Sequence, residues 1–374
     1  MKKTLIALAA VAATGAAFAQ STVTLFGGAD LNVRSVTSGT NKFQGMAQDG
    51  IYSSRFGVNG TEDLGGGLKA GFHFEGGMAP DVGTSAGFNF TRKSTIGLMG
   101  GFGEVRLGRD YTPLFTVAGI ADPFGTNGVG SSYNVANAAT LAGDAIATAG
   151  SFATAQAAAA NTVSASTVAA GTVYADPNAV RANNSVAYYS PSFSGFTVSG
   201  MYSFGAENTN VGKNAGTMTS VKLAYANGPL SLALANQVTK GGVAATVAAD
   251  TQKWTTNFIA GSYDLGVAKL SAGYKTDKAT FLADSIKSTI LGATAPMGAV
   301  TLKASYVAAK NSKEMANQFA LGAIYDLSKR TSVYATYSVL ANEAGNGKSV
   351  GSAAASNFTG LKSTGFETGV KHSF

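Results

Sequence analysis

From Thr22 onward, apolar and polar residues alternate along the chain. "TVTLFGGADLNVRS" puts Val23, Leu25, Ala29, Leu31 and Val33 on one face and Thr24, Asp30, Asn32 and Arg34 on the other. "GLKAGFHFEG" sets Leu68, Ala70, Phe72 and Phe74 against Lys69, His73 and Glu75, and "AVTLKASYVAA" sets Val300, Leu302, Ala304 and Tyr306 against Lys303 and Ser305. A period of two is that of a β-strand with one apolar face. The connections alternate too. Tight Gly, Pro, Asn and Asp turns fall at 63–67, 100–103, 191–195, 227–229, 264–266, 296–298 and 326–329. Between them lie longer polar stretches at about 38–51, 77–87, 112–181, 205–218, 239–252, 276–285, 310–315 and 341–364. Fifteen connections imply sixteen strands.

Sixteen strands of roughly ten residues, with short turns at one end and long loops at the other, predict an all-β, 16-stranded antiparallel transmembrane β-barrel. A soluble sandwich also alternates, but its two packed sheets leave edge strands to protect, whereas closure removes the edges. The charged face fits a wide lumen. By parity Asp30, Arg34, Lys69, Glu75, Lys93 and Arg106 line it, and the inward census is net basic. Tyr111, Tyr188, Tyr189, Tyr263 and Tyr325, near strand ends, suit an aromatic girdle at the membrane interface.

Composition narrows the compartment. Residues 1–19 carry Lys2 and Lys3, an apolar run from Leu5 and the Ala17-Phe18-Ala19 cleavage pattern, so they read as a secretory signal peptide, leaving 20–374 as the barrel. There is no cysteine, and the formal net charge of +7 is spread along the chain. No dense basic block marks a nucleic-acid partner. No His, Cys or carboxylate grouping has metal-ligand spacing, and no cofactor motif stands out. "DLGGGLK" joins two strands and lacks a Gly-Lys-Ser/Thr ending, so it reads as a turn. Only His73 and His372 could serve as imidazole bases, which argues against a barrel hydrolase and for a protein that is not an enzyme.

Several segments resemble the Gram-negative general diffusion porins, neisserial type. They are "VTLFGGADLNV", "SSRFGVNGTEDLGGGLKAGFHFEGG", "GFGEVRLGRDYTPLF", "NNSVAYYSPSFSGFTVSGMYSF" and "TGVKHSF". The resemblance implies a homotrimer in the cell outer membrane, among outer-membrane lipid and lipopolysaccharide. It also implies that the long third loop, about 112–181, folds inward. Arg55, Arg109 and Arg181 match positions where related porins place a basic cluster at the pore constriction. Parity turns Arg55 and Arg181 inward. Arg109 shares parity with Val105 and Leu107, so a bulge at the strand end is needed to re-aim it. The family's acidic partner on the third loop has its nearest match in Asp122 of "ADPFGTNG".

The function expected is a passive, water-filled diffusion channel for small hydrophilic solutes and ions, with weak anion preference. The alternative is a substrate-specific channel for sugars or amino acids. Such a channel needs a line of aromatics along the lumen, which the lone Trp254 and scattered Phe residues do not supply. In "GFETGVKHSF", Phe366, Val370 and Phe374 share the outward parity. Phe374 is thereby expected to close the barrel against "TVTLFGG", and by resemblance to serve as the signal read by the barrel-assembly machinery.

Overall fold

The computed structural model describes residues 22–83, 89–136, 179–205, 217–241, 252–280, 284–312, 315–343, 347–351 and 360–374. The expected signal peptide and most of the long loop, from 137 to 178, lie outside the described residues. Strands run in chain order: β1 Thr22–Ser38, β2 Asn41–Gln48, β3 Arg55–Gly65, β4 Leu68–Gly77, β5 Lys93–Gly100, β6 Gly103–Tyr111, β7 Arg181–Tyr189, β8 Phe196–Ser203 and β9 Met218–Asn227. They continue as β10 Leu230–Gly241, β11 Gln252–Asp264, β12 Lys269–Ala279, β13 Ile286–Met297, β14 Val300–Lys310, β15 Met315–Asp326, β16 Thr331–Asn342 and β17 Ser363–Ser373. Among the described residues, two helices, α1 Pro113–Ala121 and α2 Tyr133–Ala136, lie between β6 and β7.

Every pairing is antiparallel between neighbours, and β17 pairs with β1 from Gly28↔Ser373 to Ser38↔Ser363, so the sheet closes. β2 pairs with the loop-end half of β1, from Leu31 to Ser38, and β3 with its other half, from Thr22 to Gly28. The two are therefore one barrel strand interrupted at 49–54, and the barrel is 16-stranded. This corrects one boundary. The stretch 38–51, expected as a long loop, is a tight turn at Gly39-Thr40 followed by strand β2.

The outer and inner faces invert the pattern of a water-soluble protein. On β10, Leu232 and Leu234 are 44% and 51% exposed, while Ala233, Ala235 and Gln237 between and beyond them are buried. The same holds for Leu302 and Tyr306 on β14 and for Phe319 and Leu321 on β15. A continuous apolar outer belt of this kind is stable only against lipid. Tyr188, Tyr263 and Tyr325 are outward as expected. Tyr111 and Tyr189 are not part of that girdle: Tyr111 contacts Arg92 and Arg181, and Tyr189 lies under Arg106 with 4.6 Å from guanidinium to ring centroid.

The closing seam uses a missing side chain. Gly27 and Phe374 exchange backbone hydrogen bonds of 3.1 and 3.0 Å, and a Cβ on Gly27 would lie 2.6 Å from the Phe374 ring. The ring thus lies over the glycine on the outer face.

Candidate functional site

The chain enters the barrel interior at the end of β6. Thr112 caps α1 by accepting the Phe115 N–H at 3.1 Å, and Pro113 begins the helix where no N–H partner is needed. Beyond α1, the carboxylate of Asp122 gathers the next turn by accepting the N–H groups of Phe124 (2.8 Å), Thr126 (3.0 Å) and Ser132 (2.9 Å). Burial pushes its carboxyl up from the ordinary range, against the pull of those donors, Ser132 first. Asp122 is 5% exposed, so its charge is used within its own segment.

The segment 112–136 lies along the inward faces of β9–β17. Ser220 Oγ accepts the Leu114 N–H at 3.2 Å, Ser271 Oγ donates to Ala121 O at 2.8 Å, and Lys275 Nζ donates to Ala136 O at 3.0 Å. Gln318 Nε2 reaches Gly130 O and Ser131 O, and Ser338 Oγ reaches Val129 O. Glu367 accepts the Val129 N–H at 3.0 Å and pairs with Arg34 at 2.8 Å. Val117, Ala118, Ala121 and Val129 share one buried cluster with Ala235, Phe258, Ile290 and Val307 of the wall. Glycines make room: a Cβ at Gly292 would lie 2.5 Å from Pro123, and one at Gly273 would lie 2.8 Å from the Ala121 Cβ.

The opposite wall, β3–β7, carries arginines. Arg55 at the start of β3 reaches Glu75 on β4 at 3.4 Å and lies 4.1 Å over the Tyr52 ring. Arg92, just before β5, donates to Glu75 at 2.7 Å and to Tyr111 Oη at 2.8 Å. Arg181 donates to the same Tyr111 oxygen at 2.6 Å and lies 4.2 Å over its ring. The result is a chain of contacts, Arg55–Glu75–Arg92–Tyr111–Arg181, stepping from strand to strand. Arg109 stands beside its end, close enough to Arg181 for their charges to interact. The β6–β7 register shifts between Gly108 and Asp110, with the extra residue on β7, and Arg109 donates to the Asn183 side chain and to Thr91 O. The irregularity therefore falls on the partner strand, while Arg109 itself stays in register opposite Ser94 of β5.

Arg92 was missed because it precedes its strand, where parity has no meaning. Its only sequence signal is an arginine directly before the inward Lys93. Of the other charges placed on the inner face, Lys93 and Arg106 both hold Asp110, and Arg106 also grips Glu104 at 2.8 Å. Asp30 and Arg34 are inward but buried. Asp30 accepts the N–H groups of Ile51 and Tyr52, both at 2.8 Å, and so fixes the interruption that sets Tyr52 under Arg55. Lys69, opposite Asp63 and Met99, is exposed near the turn end.

A closed barrel with an apolar exterior and an arginine-lined interior has known relatives. A family model described as Gram-negative porin matches residues 4–345. The chain belongs to the Gram-negative porin family. Outer membrane porin protein 32 of Delftia acidovorans is 39% identical, with 100% of each chain covered. Major outer membrane protein P.IB of Neisseria gonorrhoeae is 30% identical over 95% of this chain and 98% of that one. Among solved structures, the anion-selective porin from Comamonas acidovorans superposes with a TM-score of 0.76 at 33% identity, covering 95% of this chain and 100% of that chain. OmpT of Vibrio cholerae, at 16% identity and TM-score 0.59, shares the fold. This porin is accordingly an outer-membrane protein, and its barrel is a passive, water-filled channel.

Proposed function

We propose that this porin prefers small anions, and that the row Arg55, Arg92, Arg109 and Arg181 sets the preference. The supporting observation is an imbalance of charge: Glu75 is the one carboxylate in the contact chain that Arg55, Arg92 and Arg181 form. Asp122, facing the row in sequence terms, has its carboxylate taken by three backbone N–H groups. A basic wall facing a segment whose one carboxylate is buried and hydrogen-bonded within it gives a local positive field, which raises anion concentration at the narrowing. In this reading Asp122 contributes to the constriction by folding the segment 112–136, not by offering charge. Size selection follows from the same segment occupying lumen space.

The reading extends to assembly. Residues 1–19 are removed on export, three barrels associate as a homotrimer, outer-leaflet lipopolysaccharide surrounds them, and Phe374 is read by the barrel-assembly machinery. The test of the channel reading is a planar bilayer with a tenfold potassium chloride gradient. The reversal potential should have the sign of chloride preference and closures should come in three equal steps. A potential of the opposite sign would reject the anion preference.

A further inference from the structure

The outward charges of β10–β14 form a pattern that the channel does not use. Parity with the exposed Leu234, Ile259, Tyr274, Leu291 and Tyr306 turns Lys240, Lys253, Lys278, Lys287 and Lys310 to the outside of the barrel. Each lies at the loop end of its own strand, four to six residues beyond its apolar neighbour. The register makes them a row. Lys240 stands directly opposite Lys253, and Lys287 directly opposite Lys310. Lys278 bridges the pairs diagonally, because Thr255 pairs with Lys278 and Thr276 with Lys287. Directly opposed side chains start about 5 Å apart and diagonal ones about 7–8 Å.

Like charges placed opposite each other destabilise a sheet unless something neutralises them. Among the described residues, none of the five ammonium groups has a carboxylate within ion-pair distance. The acid on the neighbouring strand, Asp277, is on the inner face and paired with Lys275. Beside the second pair is a cleft of about 310 Å³, lined by Asp284, Ser285, Lys287, Lys310, Asn311 and Ser312. Two ammonium groups and the Ser285 hydroxyl suit a phosphate, and the one acid there, Asp284, accepts from the Ser312 hydroxyl.

We propose that this lysine row is a docking site for the phosphate headgroup of an outer-leaflet lipid, with its acyl chains against the apolar belt below. Geometry selects a lipid over a free anion. Four residues of strand span about 13 Å, so a molecule held by Lys278, Lys287 and Lys310 sits one headgroup depth above Tyr274, Leu291 and Tyr306. The row lies at the long-loop end, the outward end of such barrels. The proposal rests on the outer-membrane setting of the porin and names the surface that meets its lipid.

Native mass spectrometry of the folded porin in neutral detergent tests it, with bisphosphorylated lipid A, dephosphorylated lipid A and inorganic phosphate as probes. Bisphosphorylated lipid should remain bound to the wild type, and Lys287→Gln/Lys310→Gln should lower its retention at least tenfold. The dephosphorylated lipid should bind no better than it does to the variant, and millimolar phosphate should not displace the lipid. Lys329→Gln/Arg330→Gln, at the turn end, should change nothing. In lipid-free detergent Lys287→Gln/Lys310→Gln should be at least as heat-stable as the wild type, and only the wild type should gain stability from the phosphorylated lipid. Unchanged retention in a folded variant with all five lysines replaced by Gln would overturn the proposal, as would equal retention of the dephosphorylated lipid. Displacement by millimolar phosphate would reassign the row to free anions. Conductance of the same variants reports on the channel separately: wild-type conductance without lipid retention defines a porin whose row has lost its ligand.

Discussion

On β3–β7 the inner wall holds arginines joined through Glu75 and Tyr111, and the guanidinium groups remain partly exposed. On β9–β17 it holds alanines, glycines and branched aliphatics with a few hydrogen-bonding side chains, and a chain segment covers them. Both walls alternate with the same period, yet one was built to meet ions and the other to meet protein. The difference lies in what the inward residues leave for a neighbour. Long charged side chains fill space and carry water, whereas Gly273 and Gly292 leave room that only a closely fitted backbone fills. Narrowing the lumen thus needs both walls: one to hold the segment, the other to stay charged beside it.

The contrast breaks most severely at Glu367, the one carboxylate that ties the covering segment to the closing strand. Glu367→Ala leaves Arg34 unpaired and the Val129 N–H without an acceptor. Thermal unfolding in detergent should show a loss of about 3–5 kcal/mol, and single-channel conductance should rise as the segment loosens. Next comes Gly292→Val, which puts a side chain where Pro123 already sits. Overpacking costs about 1–3 kcal/mol, and conductance should again rise while ion preference stays near that of the wild type.

The other wall should respond in the opposite way. Arg55→Gln/Arg181→Gln, which keeps Arg92 on Glu75, should change stability by about 1 kcal/mol or less, yet move the reversal potential towards cations. An unchanged reversal potential would remove these arginines from the selectivity account. A pH-dependent effect is expected where the covered wall meets the loop at 347–351. Loss of hydration and the nearby charge of Lys275 hold Lys348 down to about 8 from 10.5. The folded chain then binds fewer protons than the unfolded chain between those values, so stability rises with pH from about 8 to 10.5 and is flat below. Melting curves at pH 7 and pH 10 should show that rise in the wild type and lack it in Lys348→Met.

Alternation along the chain was enough to read the closed barrel, its turns and the face of nearly every strand, because a period of two is a local property. It also read Arg55 inward, beside Glu75, whereas Arg181 lies beyond the irregularity in β7, across which parity does not carry. It failed where the chain leaves the strand. Arg92 and Tyr52 lie just outside strands, and β2 was hidden by its polar, Gly-containing sequence, "NKFQGMAQ". Asp122 could be found but not its use, since its partners lie in its own turn. The pairing of Glu367 with Val129 spans 238 residues, and the glycines under α1 look locally like any others. Parity tells which side a residue takes; it says nothing of what covers it.

The apolar strip under the covering segment bears on any attempt to widen this pore. Cutting out residues 113–129 would not simply enlarge a water column. It would bare Ala235, Phe258, Ile290 and Val307 to water inside the barrel, an apolar strip left without the surface that covered it. A nanopore engineered from this scaffold therefore needs that strip made wettable at the same time.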